Sequence, residues 1–110
     1  MPYSDVLAQR IRQMLEREPG VREKRMFGGL GFLVEGNLAV SASSAGGMMV
    51  RADPAEIAAL LDEPHVGLVE MRGHRMTGWV RIAPDGLESD DELRRWVRHG
   101  LTRARTLPPK

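Results

Sequence analysis

Cysteine is absent from this 110-residue chain, which removes disulfides, thiolate zinc sites and cysteine nucleophiles at once. Small secreted domains commonly need such staples, so their lack points to the cytoplasm. Long apolar runs are also missing. Nothing approaches the roughly 20 residues that span a bilayer, and no membrane partner is expected. The opening Met1-Pro2-Tyr3-Ser4-Asp5 has neither a basic start nor an apolar core, so it does not read as a signal peptide. Net charge is nearly absent at +1, whereas a dedicated nucleic-acid binder shows its basic excess across the whole domain. Aromatics are few: Tyr3, Phe27, Phe32, Trp79 and Trp96. Lysine is scarce, two residues against 14 arginines. Guanidinium suits phosphate and carboxylate recognition, but a genomic preference for arginine codons is the preferred reading of the ratio.

What is present is ordinary for a folded protein. With 42% hydrophobic and 28% charged residues, the chain reads as one globular domain over residues 1–110, with its ordered core over about 4–105. Ser4 and Asp5 announce a helix, and Leu7, Ile11, Met14 and Leu15 give it one apolar stripe before Pro19-Gly20 stops it. From Val21 to Arg51 the pattern shortens into runs separated by Glu35-Gly36-Asn37 and Ser44-Ala45-Gly46, where glycine and asparagine suit tight hairpins. The simplest account is a meander of three antiparallel strands, with Gly28-Gly29 breaking the first run. Asp53-Pro54-Ala55-Glu56 caps a second helix, carried by Ile57, Leu60 and Leu61. Two strands follow, near Val66–Met71 and Thr77–Ile82. Ser89-Asp90-Asp91-Glu92 then opens a last helix with apolar residues Leu93, Trp96, Val97, Leu101 and Ala104. Leu107-Pro108-Pro109-Lys110 reads as a tail. The expected fold is α+β, an antiparallel sheet packed with helices.

No catalytic constellation emerges from these residues. A phosphate-cradling loop at Gly28-Gly29-Leu30-Gly31 needs a helix directly after it, and Phe32-Leu33-Val34 reads instead as strand. His65, His74 and His99 stand far apart, without a ligand spacing. Ser43-Ser44 lacks a nucleophile-elbow context, and Asp90 with Asp91 serves a helix dipole. The expectation is no enzyme, no metal and no cofactor.

Two surfaces are candidates for a partner. Strand alternation sends Phe32, Val34, Leu38, Val40, Met48, Val50, Val80 and Ile82 toward the helices. It leaves Leu33, Ala39, Ser41, Met49, Arg51, Thr77, Trp79 and Arg81 on the other face. Among the latter, Leu33, Met49, Arg51, Trp79 and Arg81 combine an adaptable methionine, an aromatic anchor and arginines in the manner of a binding surface. Against this stand a second helix covering that face, or strand registers displaced by one residue. The other candidate is a nucleic-acid surface on the last helix, formed by Arg94, Arg95, Arg98 and Arg105. Cations near a helix C-terminus are favoured without any ligand, and a solvated face is the preferred reading there.

Lys24-Arg25-Met26-Phe27-Gly28-Gly29-Leu30-Gly31-Phe32 resembles the opening signature of the TfoX/Sxy family N-terminal domain. Met26, Phe27, Gly28 and Gly29 form its structural core. The Gly36-Asn37 turn, Met48–Val50 before a capped helix, Gly73-His74-Arg75-Met76-Thr77-Gly78-Trp79 and the helix from Ser89 follow in the same order. The resemblance implies an α-β(3)-α-β(2)-α fold, similar to secretion-chaperone-like and YgaC-like domains. Full-length members are bacterial regulators of natural competence that carry a further C-terminal domain, so the ending at Lys110 reads as a stand-alone form. The expected role is a cytoplasmic, non-enzymatic interaction or regulatory module whose partner is a protein, either itself or another regulator. Direct nucleic-acid binding through the last helix is the alternative.

Overall fold

The computed structural model describes residues 4–26, 28–44, 46–71 and 73–110. Helix α1 (Asp5–Met14) is followed by strands β1 (Val21–Met26), β2 (Gly29–Val34), β3 (Asn37–Ala42) and β4 (Met48–Arg51). A 3₁₀ turn (Pro54–Glu56) leads into the short helix α2 (Ile57–Leu60), then β5 (Val66–Met71), β6 (His74–Ile82), a second 3₁₀ turn (Pro84–Leu87) and α3 (Asp90–Arg105). The strands form one antiparallel six-stranded sheet in the order β1-β2-β3-β4-β6-β5. The α+β class therefore holds. The run broken by Gly28-Gly29 is a complete hairpin, so four strands rather than three precede α2. Among the described residues, no helix is long and apolar enough to cross a membrane.

Both long helices begin where the capping chemistry predicts. The Ser4 hydroxyl accepts the Leu7 N–H at 3.2 Å, and the Ser89 hydroxyl accepts the Glu92 N–H at 3.1 Å. Each side chain satisfies an amide that has no partner inside its own helix. The Asp53 carboxylate does the same for the Ala55 N–H ahead of α2.

Two rows of facing residues cross the sheet on its helix side. One runs Leu30–Ala42–Met48–Ile82–Val66 and the other Phe32–Val40–Val50–Val80–Leu68. With Leu7, Ala8 and Ile11 of α1 and Leu93, Trp96, Val97 and Leu101 of α3, all but the β5 members form the main core; Val66 packs against it and Leu68 is exposed. Helix α3 lies along β3 and β4, and α1 packs beside it.

A β-bulge sets this packing. Phe32 pairs with Val40 but Leu33 pairs with Leu38, so Ala39 is an extra residue in β3. The extra residue reverses the side-chain parity. Ala39 turns into the main core, and Leu38 moves to the helix-free face. This corrects the simple alternation, which assigned the two residues the opposite way. The bulged backbone bears directly on α3. A Cβ added to Gly100 would meet the Ala39 carbonyl oxygen well inside contact distance, and Val40 Cγ1 at 2.6 Å. Only a glycine lets the helix come so close.

One turn and the C-terminal segment also differ from expectation. The hairpin between β2 and β3 places positive φ on Glu35 (51°) and Gly36 (85°), while Asn37 is already the first, buried residue of β3. The Asn37 side-chain amide donates to the Pro108 carbonyl at 2.9 Å, and the Lys110 N–H donates to the Glu35 carbonyl at 2.9 Å. The segment read as a tail is thus tied to this hairpin.

Replacing Gly100 with alanine gains about 1 kcal/mol of helix propensity but forces α3 off the bulge, with an overpacking cost of about 1–3 kcal/mol. Gly100→Ala is therefore expected to lower the urea midpoint. A raised midpoint would refute the close approach.

Candidate functional site

The helix-free face is built from the alternate residues of the same strands. One row runs Lys24–Gly31–Ser41–Met49–Arg81–Gly67; beside it lie Arg22–Leu33–Leu38 and the pair Arg51–Trp79. Four cations and no carboxylate stand in these rows. Leu33, Met49, Arg51, Trp79 and Arg81 do share this face. Thr77 does not join the cluster as alternation implied. Gly78, at φ 90°, interrupts the alternation in β6, and it is Met76 that packs beside Trp79.

Met49, Val69 and Trp79, with Leu38 and Met76 packed against them, form a second, smaller core. Met49 and Trp79 are each only 6% exposed. The Arg51 guanidinium lies 4.6 Å from the centre of the Trp79 ring, and its Nε donates to the Leu38 carbonyl at 2.5 Å. Burial, followed by the positive charge of Arg103, pulls the Arg51 guanidinium down from its ordinary value. One Arg81 nitrogen donates to the Gly46 carbonyl at 2.7 Å. The bulge links these features: it turns Leu38 to this face, and the Leu38 carbonyl then anchors the arginine that roofs Trp79. Alternation could not reveal Leu38, Met76 or Val69 as members, because each adjoins a bulge or register shift. What this face offers to a visitor is its half-buried part, Leu33, Leu38 and Met76, flanked by the exposed Arg22 and Lys24.

The arginines of α3 are mostly engaged within the chain. Arg94 pairs with Asp91 at 3.4 Å, Arg95 with Glu63 at 2.5 Å and Glu92 at 3.6 Å, and Arg105 with Glu18 at 3.4 Å. Arg103 reaches Asp53 at 3.7 Å. Arg98 is exposed and, among the described residues, has no carboxylate partner. A shallow groove of about 430 Å³ runs along this helix between Arg95, Arg98, His99 and Arg103 on one side and Asp53 and Glu56 on the other.

Of the signature residues, Met26 ends β1 opposite Gly29, and Gly28 turns the chain at φ 76°. Phe27 lies outside the described residues. Gly28 lies at the turn and Gly29–Gly31 already belong to β2, so a strand and not a helix follows the glycines. His65 and His74 are exposed and apart from His99, which lies 3.7 Å from Glu56. Among the described residues no three His, Asp or Glu side chains gather as a metal-binding group.

Trp79 belongs to a core, so Trp79→Ala is expected to cost about 3–5 kcal/mol in chemical denaturation rather than to leave the fold intact. A loss under about 1 kcal/mol would show that the second core contributes little. The Arg95 pair gives a pH signature. Hydrogen bonding from Arg95, opposed in part by burial and reinforced by its charge, holds the Glu63 carboxyl below its ordinary value of 4.5. A depressed folded-state value means stability that is present above 4.5 and is lost as the pH falls through the lowered value. Both partners are substantially exposed, so the contribution is about 0–1 kcal/mol. Arg95→Gln should remove it at pH 7 and make no difference at pH 2. An equal loss at both pH values would assign the effect to packing.

No curated protein matches the sequence of the chain. The family model for the TfoX N-terminal domain matches residues 13–104, which spans β1 to β6, α2 and nearly all of α3. By that match the chain belongs to the TfoX N-terminal domain family.

Proposed function

We propose that this domain is a non-enzymatic interaction module with a regulatory role in the cytoplasm, and that it engages a protein partner through the helix-free face of its sheet. One observation carries the reading. That face joins a half-buried apolar strip, Leu33, Leu38 and Met76, to four cations without a carboxylate in its rows. Strip and cations together suit a partner segment that is acidic and carries one or two apolar side chains. Met49 and Trp79 support the surface from beneath rather than touching the partner, since both are buried.

The alternative, nucleic-acid binding through α3, draws on the same abundance of arginine. Against it stands the engagement of Arg94, Arg95 and Arg105 by carboxylates of the chain itself. A phosphate would have to displace each of those partners, and counterion release from the single unpaired Arg98 contributes little.

The two readings separate in one experiment. The tagged chain is used to capture partners from a bacterial lysate at increasing salt, and the same chain is titrated into labelled duplex DNA. Arg22→Glu with Lys24→Glu should abolish capture of the specific partner, and Arg95→Glu with Arg98→Glu should leave it unchanged. Saturable DNA binding that persists at near-physiological salt and disappears with the α3 variant would replace this reading by the alternative.

A further inference from the structure

The two edges of the sheet are unlike. Edge strand β1 carries Arg22, Glu23, Lys24 and Arg25 in succession, all exposed, which is how natural sheets prevent a second chain from adding to them. Edge strand β5 reads Val-Gly-Leu-Val-Glu-Met, pairs only with β6, and has no such protection over Val66–Val69. Leu68 is 38% exposed there, and apart from Val6 on α1 it is the exposed large hydrophobic of the described residues. It is also the last member of the apolar row Phe32–Val40–Val50–Val80–Leu68, which runs off the sheet at this edge. Alongside lies a groove of about 330 Å³ whose apolar wall is Pro54, Ile57, Ala58 and Leu61.

We propose that β5 pairs antiparallel with β5 of a second copy of this chain, about a two-fold axis near Leu68, giving one continuous sheet across the dimer. This proposal goes beyond the partner reading above and is centred on the β5 edge, with Met76 of the groove common to both surfaces. Self-pairing is favoured over a foreign strand by the strand's own symmetry of charge and size. A two-fold pairing near Leu68 sets leucine beside leucine and Gly67 beside Val69, with no like charges opposed. It also brings the residues before β5 in one copy, Asp62 and Glu63, toward the start of β6 in the other, where His74 and Arg75 stand. Asp62 and Arg75 are both exposed and, among the described residues, have no ion-pair partner within the chain. The apolar row then continues from Leu68 of one copy into Leu68 of the next. A stable interface takes about 800 Å² from each partner. A single edge strand supplies only part of that, so the flank of the groove beside Leu68 belongs to the contact as well.

Sedimentation velocity on the full chain tests the proposal. The parent should sediment at twice its 12.2 kDa mass at concentrations up to about 100 μM. Leu68→Lys, which protects this edge as charges protect β1, should sediment as the monomer with an unchanged circular dichroism spectrum. Arg75→Glu should weaken the dimer by about tenfold, and adding Asp62→Arg should restore it. The Arg22→Glu and Lys24→Glu variant should remain dimeric, which separates this surface from the proposed partner face. A parent that stays monomeric throughout that range overturns the proposal, as does a dimer that Leu68→Lys leaves intact.

Discussion

The meeting of α3 with the bulge in β3 governs both faces of the molecule. On one side, Gly100 allows the helix to lie against the Ala39 carbonyl and Val40, and this close approach brings Leu93, Trp96, Val97 and Leu101 onto the apolar rows of the sheet. On the other side, the same extra residue turns Leu38 outward and presents its carbonyl to Arg51, which lies over Trp79. One inserted residue thus seats the principal helix and organises the candidate surface behind it. A bulge at such a position is a designed feature of a sheet, because it re-aims side chains that strict alternation would commit elsewhere.

The arginine content acquires a physical meaning from the ion pairs. Arg10 donates to the Leu87 carbonyl at 2.8 Å and pairs with Asp90 at 3.0 Å, joining α1 to the start of α3. Arg12 holds Glu23 of β1, Arg95 holds Glu63 beyond α2, and Arg105 holds Glu18 beyond α1. Each guanidinium connects an element to one distant in the chain or to the loop beside it. These pairs are partly exposed and contribute modestly to stability. Their larger consequence is electrostatic, since a guanidinium already matched with a carboxylate offers little to a phosphate. Among the described residues, the cations Arg22, Lys24 and Arg75 without an ion-pair partner lie on the sheet, against Arg98 alone on α3.

The edges divide the molecule in a similar way. Edge β1 repels addition by its charges, and β5 does not. The helix-free face is cationic, with its aromatic anchor buried beneath an arginine, whereas the β5 edge is apolar and self-complementary. The two proposed contacts differ in chemistry and meet only at Met76, which packs beside Trp79 and also lines the groove next to Leu68.

The sequence by itself determined the fold class, the helices and their starts. Those depend on contacts within one turn: Ser4 and Ser89 serve amides three residues ahead, and the apolar stripe of each long helix is a local periodicity. It also placed Leu33, Met49, Arg51, Trp79 and Arg81 on one face, because alternation survives within each undistorted strand. Only the tertiary structure decided the rest. The bulge at Ala39 and the break at Gly78 reverse the alternation, so Leu38 and Met76 exchange places with Ala39 and Thr77. Burial of Trp79 depends on Met76, Val69 and Arg51, which reach it across strand pairings and turns. The tie between Asn37 and Pro108 spans most of the chain. Whether Arg95, Arg103 and Arg105 are free to bind is decided by Glu63, Asp53 and Glu18 outside their helix, and no local pattern records where those residues come to lie.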